Sequence, residues 1–317
     1  MERLARNEKW AAEMRSRPCF HLQHLAGKDH LVQLDCKSSG GLWLGIRRTK
    51  IRQIPRGFTM IEMAVAIVVI ALLLGGILVP LQTQVEIRKY DETQRIVDQA
   101  REALLGYAAA YGYFPCPADY AGGSSGAEAV GSTHTSGTGT CPATVTALGA
   151  TGVYIGYLPA VTLGFTPTDA SGYAVDAWGL AQNRIRYAVS SSTVNGVNRP
   201  FTTVNGMRNA GMSNIMGSTV LLNVCNTATG STTTSCAAGA TLASNAIAVI
   251  WSLGPNAATT GGISAHEAEN VEALASADRV FVRRDLSKVA GAEFDDVVTW
   301  ISPPMLFNRL IAAGQLP

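Results

Sequence analysis

The chain has 317 residues, 47% of them hydrophobic and 15% charged, and a formal net charge of +2. That composition excludes disorder throughout and allows one sizeable domain with an appendage, or two small domains. The near-neutral total hides a split: residues 1–57 hold 12 Lys/Arg against 5 Asp/Glu, a surplus of +7, and the rest holds 13 against 18, a deficit of −5.

Arg47, Arg48, Lys50, Arg52 and Arg56 lead into an apolar run, and Met63 to Val85 contains no charged residue. As a helix this run is long enough to cross a hydrocarbon core of ~30 Å. The upstream basic residues hold the N-terminal side in the cytoplasm, which sends everything after Pro80 across the membrane. A cleaved secretory signal would be shorter and end at a small-residue site, whereas this run passes straight into a polar helical pattern; the segment reads as retained. Within it, Pro80 lacks an N–H and crowds the carbonyl of Gly76, so with Gly75 it predicts a kink or an unwound turn. Glu62 stands near the start of the run. A lone carboxylate in a bilayer costs about 2.5–3.5 kcal/mol on insertion scales, so it calls for a cationic partner or for a position at the headgroups.

From Gln82 to about Gly112, Thr93, Ile96, Val97, Ala100, Leu104, Tyr107, Ala108 and Tyr111 recur at three- and four-residue steps, one apolar stripe on an amphipathic stem helix. From Phe58 to Ala110 such a helix would be about 80 Å long. The prolines of "FPCPAD", residues 114–119, are expected to end it, and the Gly/Ser/Thr-rich stretch that follows reads as a long loop. Short β-rich runs come next: "RIRYAVS" from Arg184, "STVLLNV" from Ser218, "AIAVIWS" from Ala246, "RVFVRR" from Arg279 and "VVTWIS" from Val297. "SPPMLFNRLIAAGQLP" predicts a terminal helix capped by Ser302. Strands that follow one amphipathic helix predict an α+β fold, with an antiparallel sheet packed on the stripe.

Gly57, Phe58, Thr59, Met60, Ile61 and Glu62, preceded by basic residues and followed by the apolar run, resemble the prepilin processing motif of type IV pilins and type II secretion pseudopilins. The resemblance implies cleavage by a prepilin peptidase between Gly57 and Phe58 and N-methylation of Phe58. It divides the chain into a leader at 1–57, a transmembrane helix at 58–81, a stem at 82–112 and a β-rich periplasmic or extracellular head at 113–317. The leader is far longer than the family's usual one, which points to a start assigned too far upstream. The freed amine of Phe58 would neutralise Glu62 of the same chain or of a neighbour, and pairing with a neighbour would set the axial register of a filament. In the family, proline near position 80 marks a stretch that can lose helicity on leaving the bilayer. "DAWG" at Asp176–Gly179, "SLGPN" at Ser252–Asn256 and "FDDVVTW" at Phe294–Trp300 are similar to head segments of major pseudopilins, with Ala177 in place of a proline.

Cys116, Cys141, Cys225 and Cys236 follow the membrane segment, and on an oxidising side they read as two disulfides. Neighbours in sequence are favoured, Cys116 with Cys141 and Cys225 with Cys236, although three pairings are open. Asn256, Glu267, Glu269, Asn270, Glu272, Asp295 and Asp296 offer oxygen donors where major pseudopilins hold calcium; a solvated acidic face is the plainer reading, and no cofactor is expected. Cys19, His21, His24, His30 and Cys36 fit no zinc spacing closely. "GGSSG" at Gly122–Gly126 matches a nucleophile-elbow pattern but sits in a loop without the flanking strand and helix.

The expected role is therefore a non-enzymatic pilus or pseudopilus subunit of the inner membrane. Its partners would be prepilin peptidase, other pilin-like subunits and lipid. A binding module, such as an adhesin or DNA-uptake pilin, and an anchored periplasmic enzyme are the rival classes. The acidic mature part argues against nucleic acid.

Overall fold

The computed structural model describes residues 57–119, 125–129, 141–142, 146–147, 153–195, 197–257, 264–272 and 278–316, without the side chains of 75–82, 146, 147 and 272. The chain divides into two compact units, Met1–Ile70 and Ala71–Pro317. The predicted leader lies outside the described residues apart from Gly57, as does most of the predicted loop at 120–150.

Helix α1 spans Met60–Tyr111 and passes through Gly75, Gly76 and Pro80. From residue 93 onward the predicted stripe is the buried face: Thr93, Val97, Ala100, Leu104 and Ala108 are fully buried, with Ile96 and Leu105 nearly so. Tyr111 departs from the prediction. It is 57% exposed, its ring 4.4 Å from that of Tyr107, because the helix ends there and the chain turns away. The end comes before the prolines. Gly112, at φ +77°, donates its N–H to Ala108 O, the left-handed residue that closes a helix and that glycine adopts without a side-chain clash.

The main sheet has five strands: β1 (Thr146–Ala147), β2 (Tyr154–Tyr157), β3 (Arg186–Val189), β8 (Ala248–Ser252) and β10 (Val297–Ile301). Their order is β1-β2-β3-β8-β10, and every pair is antiparallel. Pairing of Tyr187 with Ile250, and of Ile250 with Thr299, sets the faces. Tyr187, Val189, Ala248, Ile250, Val297 and Ile301 join the core that holds the α1 stripe. Their alternates Ala188, Val249, Trp251 and Val298 point into a second core.

That second core is the main difference from the expected single sheet. It is closed by a three-stranded sheet of β7 (Thr241–Ala246), β6 (Leu222–Cys225) and β9 (Val280–Val282), which contributes Ala246, Leu222, Val224 and Phe281. β6 and β9 run parallel, also unlike the antiparallel expectation. The cause is visible in β8, where all five residues are buried: a strand apolar on both sides needs a cover on both sides. Trp251 and Phe281 meet across the layers with centroids 4.8 Å apart, and Trp251 Nε1 donates to Asn270 O at 3.2 Å.

A hairpin of β4 (Ser191–Val194) and β5 (Val197–Pro200) was not anticipated, although Asn195–Gly196 between the strands is a turn signal; Asn195 has φ +52°. Short helices α2 (Ala160–Leu163), α3 (Gly206–Ala210) and α4 (Met212–Met216) fill connections, and α5 (Ala265–Glu272) flanks β9. The terminal helix α6 is Pro303–Ala312. Ser302 occupies the cap position, but its side chain makes no capping bond, so the proline-started turn does without one. Disulfides join Cys116 to Cys141 and Cys225 to Cys236.

Candidate functional site

Thr59 fixes the start of α1. Its Oγ1 accepts the N–H of Glu62 at 3.3 Å, and its own N–H donates to Glu62 Oε2 at 3.4 Å. This is a reciprocal capping box, T-x-x-E, which satisfies helix-start donors that have no partner inside the helix and places a carboxylate at the positive end of its dipole. The T-x-x-E spacing is itself present in the sequence.

Two consequences follow. Gly57 and Phe58 stay outside the helix and are exposed, Phe58 to 77%. The Glu62 carboxylate is also already turned back toward the backbone nitrogen one residue beyond Phe58.

Past this cap, apolar side chains face outward in every direction. Met60, Ile61, Val65, Ile67, Val68, Ile70, Leu72, Leu73 and Leu74 are each more than half exposed. A helix apolar all round is one that something else must cover. Among the described residues no helix is long and apolar enough to cross a membrane. The uncharged run continues through residues 75–82, whose side chains, those of Gly75, Gly76 and Pro80 included, lie outside the description.

In the head, the segments "DAWG", "SLGPN" and "FDDVVTW" converge. Asp176 of "DAWG" accepts from Ser252 Oγ of "SLGPN" at 2.6 Å, from Asn183 Nδ2 at 3.1 Å and from Trp178 N at 2.9 Å. Asn183 also donates to the carbonyl of Gly254. Gly254 has φ +65°, and a Cβ there would collide with Asp295 of "FDDVVTW". Asp295 N donates to Glu267 Oε1 at 3.2 Å, and Glu267 itself forms a capping box with Ser264 at the start of α5. Asp296 Oδ2 accepts from Asn270 Nδ2 at 2.7 Å, while Asn270 exchanges both remaining bonds with the backbone of Val282.

Burial dominates the electrostatics here. It pushes the Asp295 carboxyl up to about 7, with Glu267 and Asp176 adding to the rise and Lys288 opposing it. Asp296 is driven well above the usual carboxylate range by burial and by Asp295 and Glu267, against its bond from Asn270. Burial raises Asp176 too, against its hydrogen bonds. Arg186, 9% exposed on β3, is lowered to about 10 by burial.

Of the calcium candidates, Asp295 and Asp296 lie in this junction, while Asn256 ends the short turn Gly254–Asn256 with a buried amide nitrogen that has no partner among the described residues. Among the described residues no three His, Cys, Asp or Glu side chains are grouped to hold a metal ion. His266 lies on α5, where its Nδ1 accepts from Ala228 N and Arg284 abuts its Nε2. Cys19, His21, His24, His30, Cys36, His134 and most of "GGSSG" lie outside the described residues.

Residues 54–78 match the prokaryotic N-terminal methylation motif, the prepilin-type signature of type IV pilins and pseudopilins. A search of curated proteins and a search of solved structures each returned no match. The matched signature contains the capping box and the exposed apolar helix; the head lies outside it.

Proposed function

We propose that the chain is a structural subunit of a type IV pilus or type II secretion pseudopilus, anchored in the inner membrane by residues 58–81 until it is assembled. The observation that carries this reading is the matched signature at residues 54–78, which holds exposed Gly57 and Phe58, the capping box and the outward-facing apolar residues from Met60 to Leu74. Prepilin peptidase removes the leader at Gly57 and methylates Phe58. The new ammonium then meets Glu62, which offsets the cost of carrying a carboxylate into lipid or into a bundle of helices. Neighbouring subunits and lipid cover the apolar residues from Met60 to Leu74. Pro80, with Gly75 and Gly76, supplies a weak point at which the helix adjusts when it leaves the bilayer.

The head lies beyond the membrane, on the periplasmic side, where oxidising conditions keep both disulfides. In this reading it needs no cofactor and catalyses nothing: its buried acids serve as hydrogen-bond acceptors that tie "DAWG", "SLGPN" and "FDDVVTW" together. Its size, with a second sheet outside the first, suits a minor or tip subunit.

Glu62→Ala in full-length protein tests the reading. Loss of fibre incorporation, with normal membrane levels of subunit and an unchanged head, is expected; incorporation at wild-type yield contradicts it.

A further inference from the structure

After β9 the chain runs along the stem toward its N-terminal end. Arg283 to Leu286 share a small cleft with Tyr90 and Gln94 of α1, and two residues later Lys288 pairs with Glu86, one turn nearer the apolar segment. Glu86 is the first charged residue after the uncharged run from Met63 to Val85. It stands about 7.5 Å along the helix axis past residue 81, the end of the proposed span, and the headgroup layer of a bilayer is about 5–8 Å deep. The Lys288–Glu86 pair thus holds the loop after Lys288 at the level of the headgroups.

The loop has a fixed shape. Ser287 and Phe294 exchange backbone hydrogen bonds at 2.9 Å across its base, and Phe294 is fully buried. Val289 N donates to Ser287 Oγ, and Ala292 N donates to Val289 O at 2.9 Å over a turn in which Gly291 has φ +78°. The tip, Val289 to Gly291, is exposed and uncharged, and the cation beside it, Lys288, is paired. Val289, at 67% exposure, is the most exposed large apolar side chain among the described residues of the head. Leu286 on the loop, and Val85 and Ile87 flanking Glu86 in sequence, are exposed as well. One such residue alone means little. Four of them, gathered around one ion pair where the uncharged run ends, extend the apolar surface of that run onto the head.

We propose that this loop docks on the lipid surface of the membrane that holds the helix, with Val289 and Leu286 entering the boundary between headgroups and acyl chains. The level of the Lys288–Glu86 pair, where the span gives way to headgroups, favours lipid over a neighbouring subunit as the occupant. Apolar burial rather than charge drives the contact, because Glu86 already neutralises Lys288. Docking sets how the head stands over the bilayer before assembly. The inference rests on the anchored reading given above.

The test uses full-length protein with Cys19→Ser and Cys36→Ser, so that Ala290→Cys is the one thiol outside the two disulfides. It is labelled there with a fluorophore and reconstituted in phosphatidylcholine vesicles whose headgroups carry a nitroxide quencher. The label should lose most of its fluorescence relative to nitroxide-free vesicles. The same label at Val197→Cys should keep it: Val197 lies on the β4–β5 hairpin, and Phe201 just after the hairpin accepts from Phe114 N, beyond the far end of α1 and about 38 Å of helix axis from Glu86. Val289→Asp, added to the Ala290→Cys protein, should restore the fluorescence. An alkaline-carbonate wash of the vesicles separates this inference from the reading it rests on. Protein retained with an unquenched label overturns the docking alone, whereas protein released by the wash overturns the anchor and the docking with it. Quenching that survives Val289→Asp, or a label shielded only in assembled fibres, where a neighbouring subunit covers the loop, also overturns the proposal.

Discussion

Helix α1 treats its apolar residues in two opposite ways. Between residues 60 and 74 they point outward in every direction, with Met60 at 94% exposure; between 93 and 108 they form one stripe that is almost wholly buried under the head. The later part is satisfied within a single chain, whereas the earlier part is not. The comparison separates what the chain does for itself, which is to fold a head on its stem, from what it requires of others, which is to cover its N-terminal helix.

The largest expected effect breaks the self-sufficient half. Leu104→Ala removes a fully buried side chain at the stem–sheet contact and should cost the head about 2–5 kcal/mol in urea unfolding. Val68→Ala, at a site 58% exposed, should change the stability of the isolated subunit by no more than about 0.5 kcal/mol and yet reduce incorporation into fibres. Equal effects of the two on unfolding would erase the distinction.

A smaller effect sharpens the other end. Thr59→Ala removes the cap that defines the helix start and should cost local helicity about 1 kcal/mol, seen as faster amide exchange from Ile61 to Met63, with no change in head unfolding.

The smallest concerns pH. Asp295 has its carboxyl raised to about 7 in the folded head, against 3.8 for the group's ordinary value. The folded state therefore holds a proton that the unfolded state has released between these two values, so head stability should fall as pH rises from about 4 through 7. Asp295→Asn should flatten that part of the thermal-unfolding profile. A head whose stability instead rises with pH across the window would show that another group governs it.

How far these features can be read in the sequence depends on how local their causes are. The stem stripe was readable because α1 repeats its apolar spacing over several turns. Gly112 as the stop is overshadowed in the sequence by the two nearby prolines, the stronger local breaking signal. The second sheet was hidden for a different reason: "AIAVIWS" shows that a strand is apolar on both sides, but not which segments cover it, and β6 and β9 are distant in sequence from the strand they shield. The bond between Asp176 and Ser252 joins residues 76 apart, and no local pattern announces it. At the N-terminal site Gly57, Phe58 and Glu62 are legible by motif, while Thr59, in the T-x-x-E spacing, shows its role only in the two capping bonds it makes with Glu62.

A new chain start beside Glu62 underlies the proposed function, and mass spectrometry of the N terminus of the membrane-extracted protein tests it directly. A chain that begins at N-methylated Phe58 is the predicted result. A chain that retains residues before Phe58, or that begins at any other position, would contradict it.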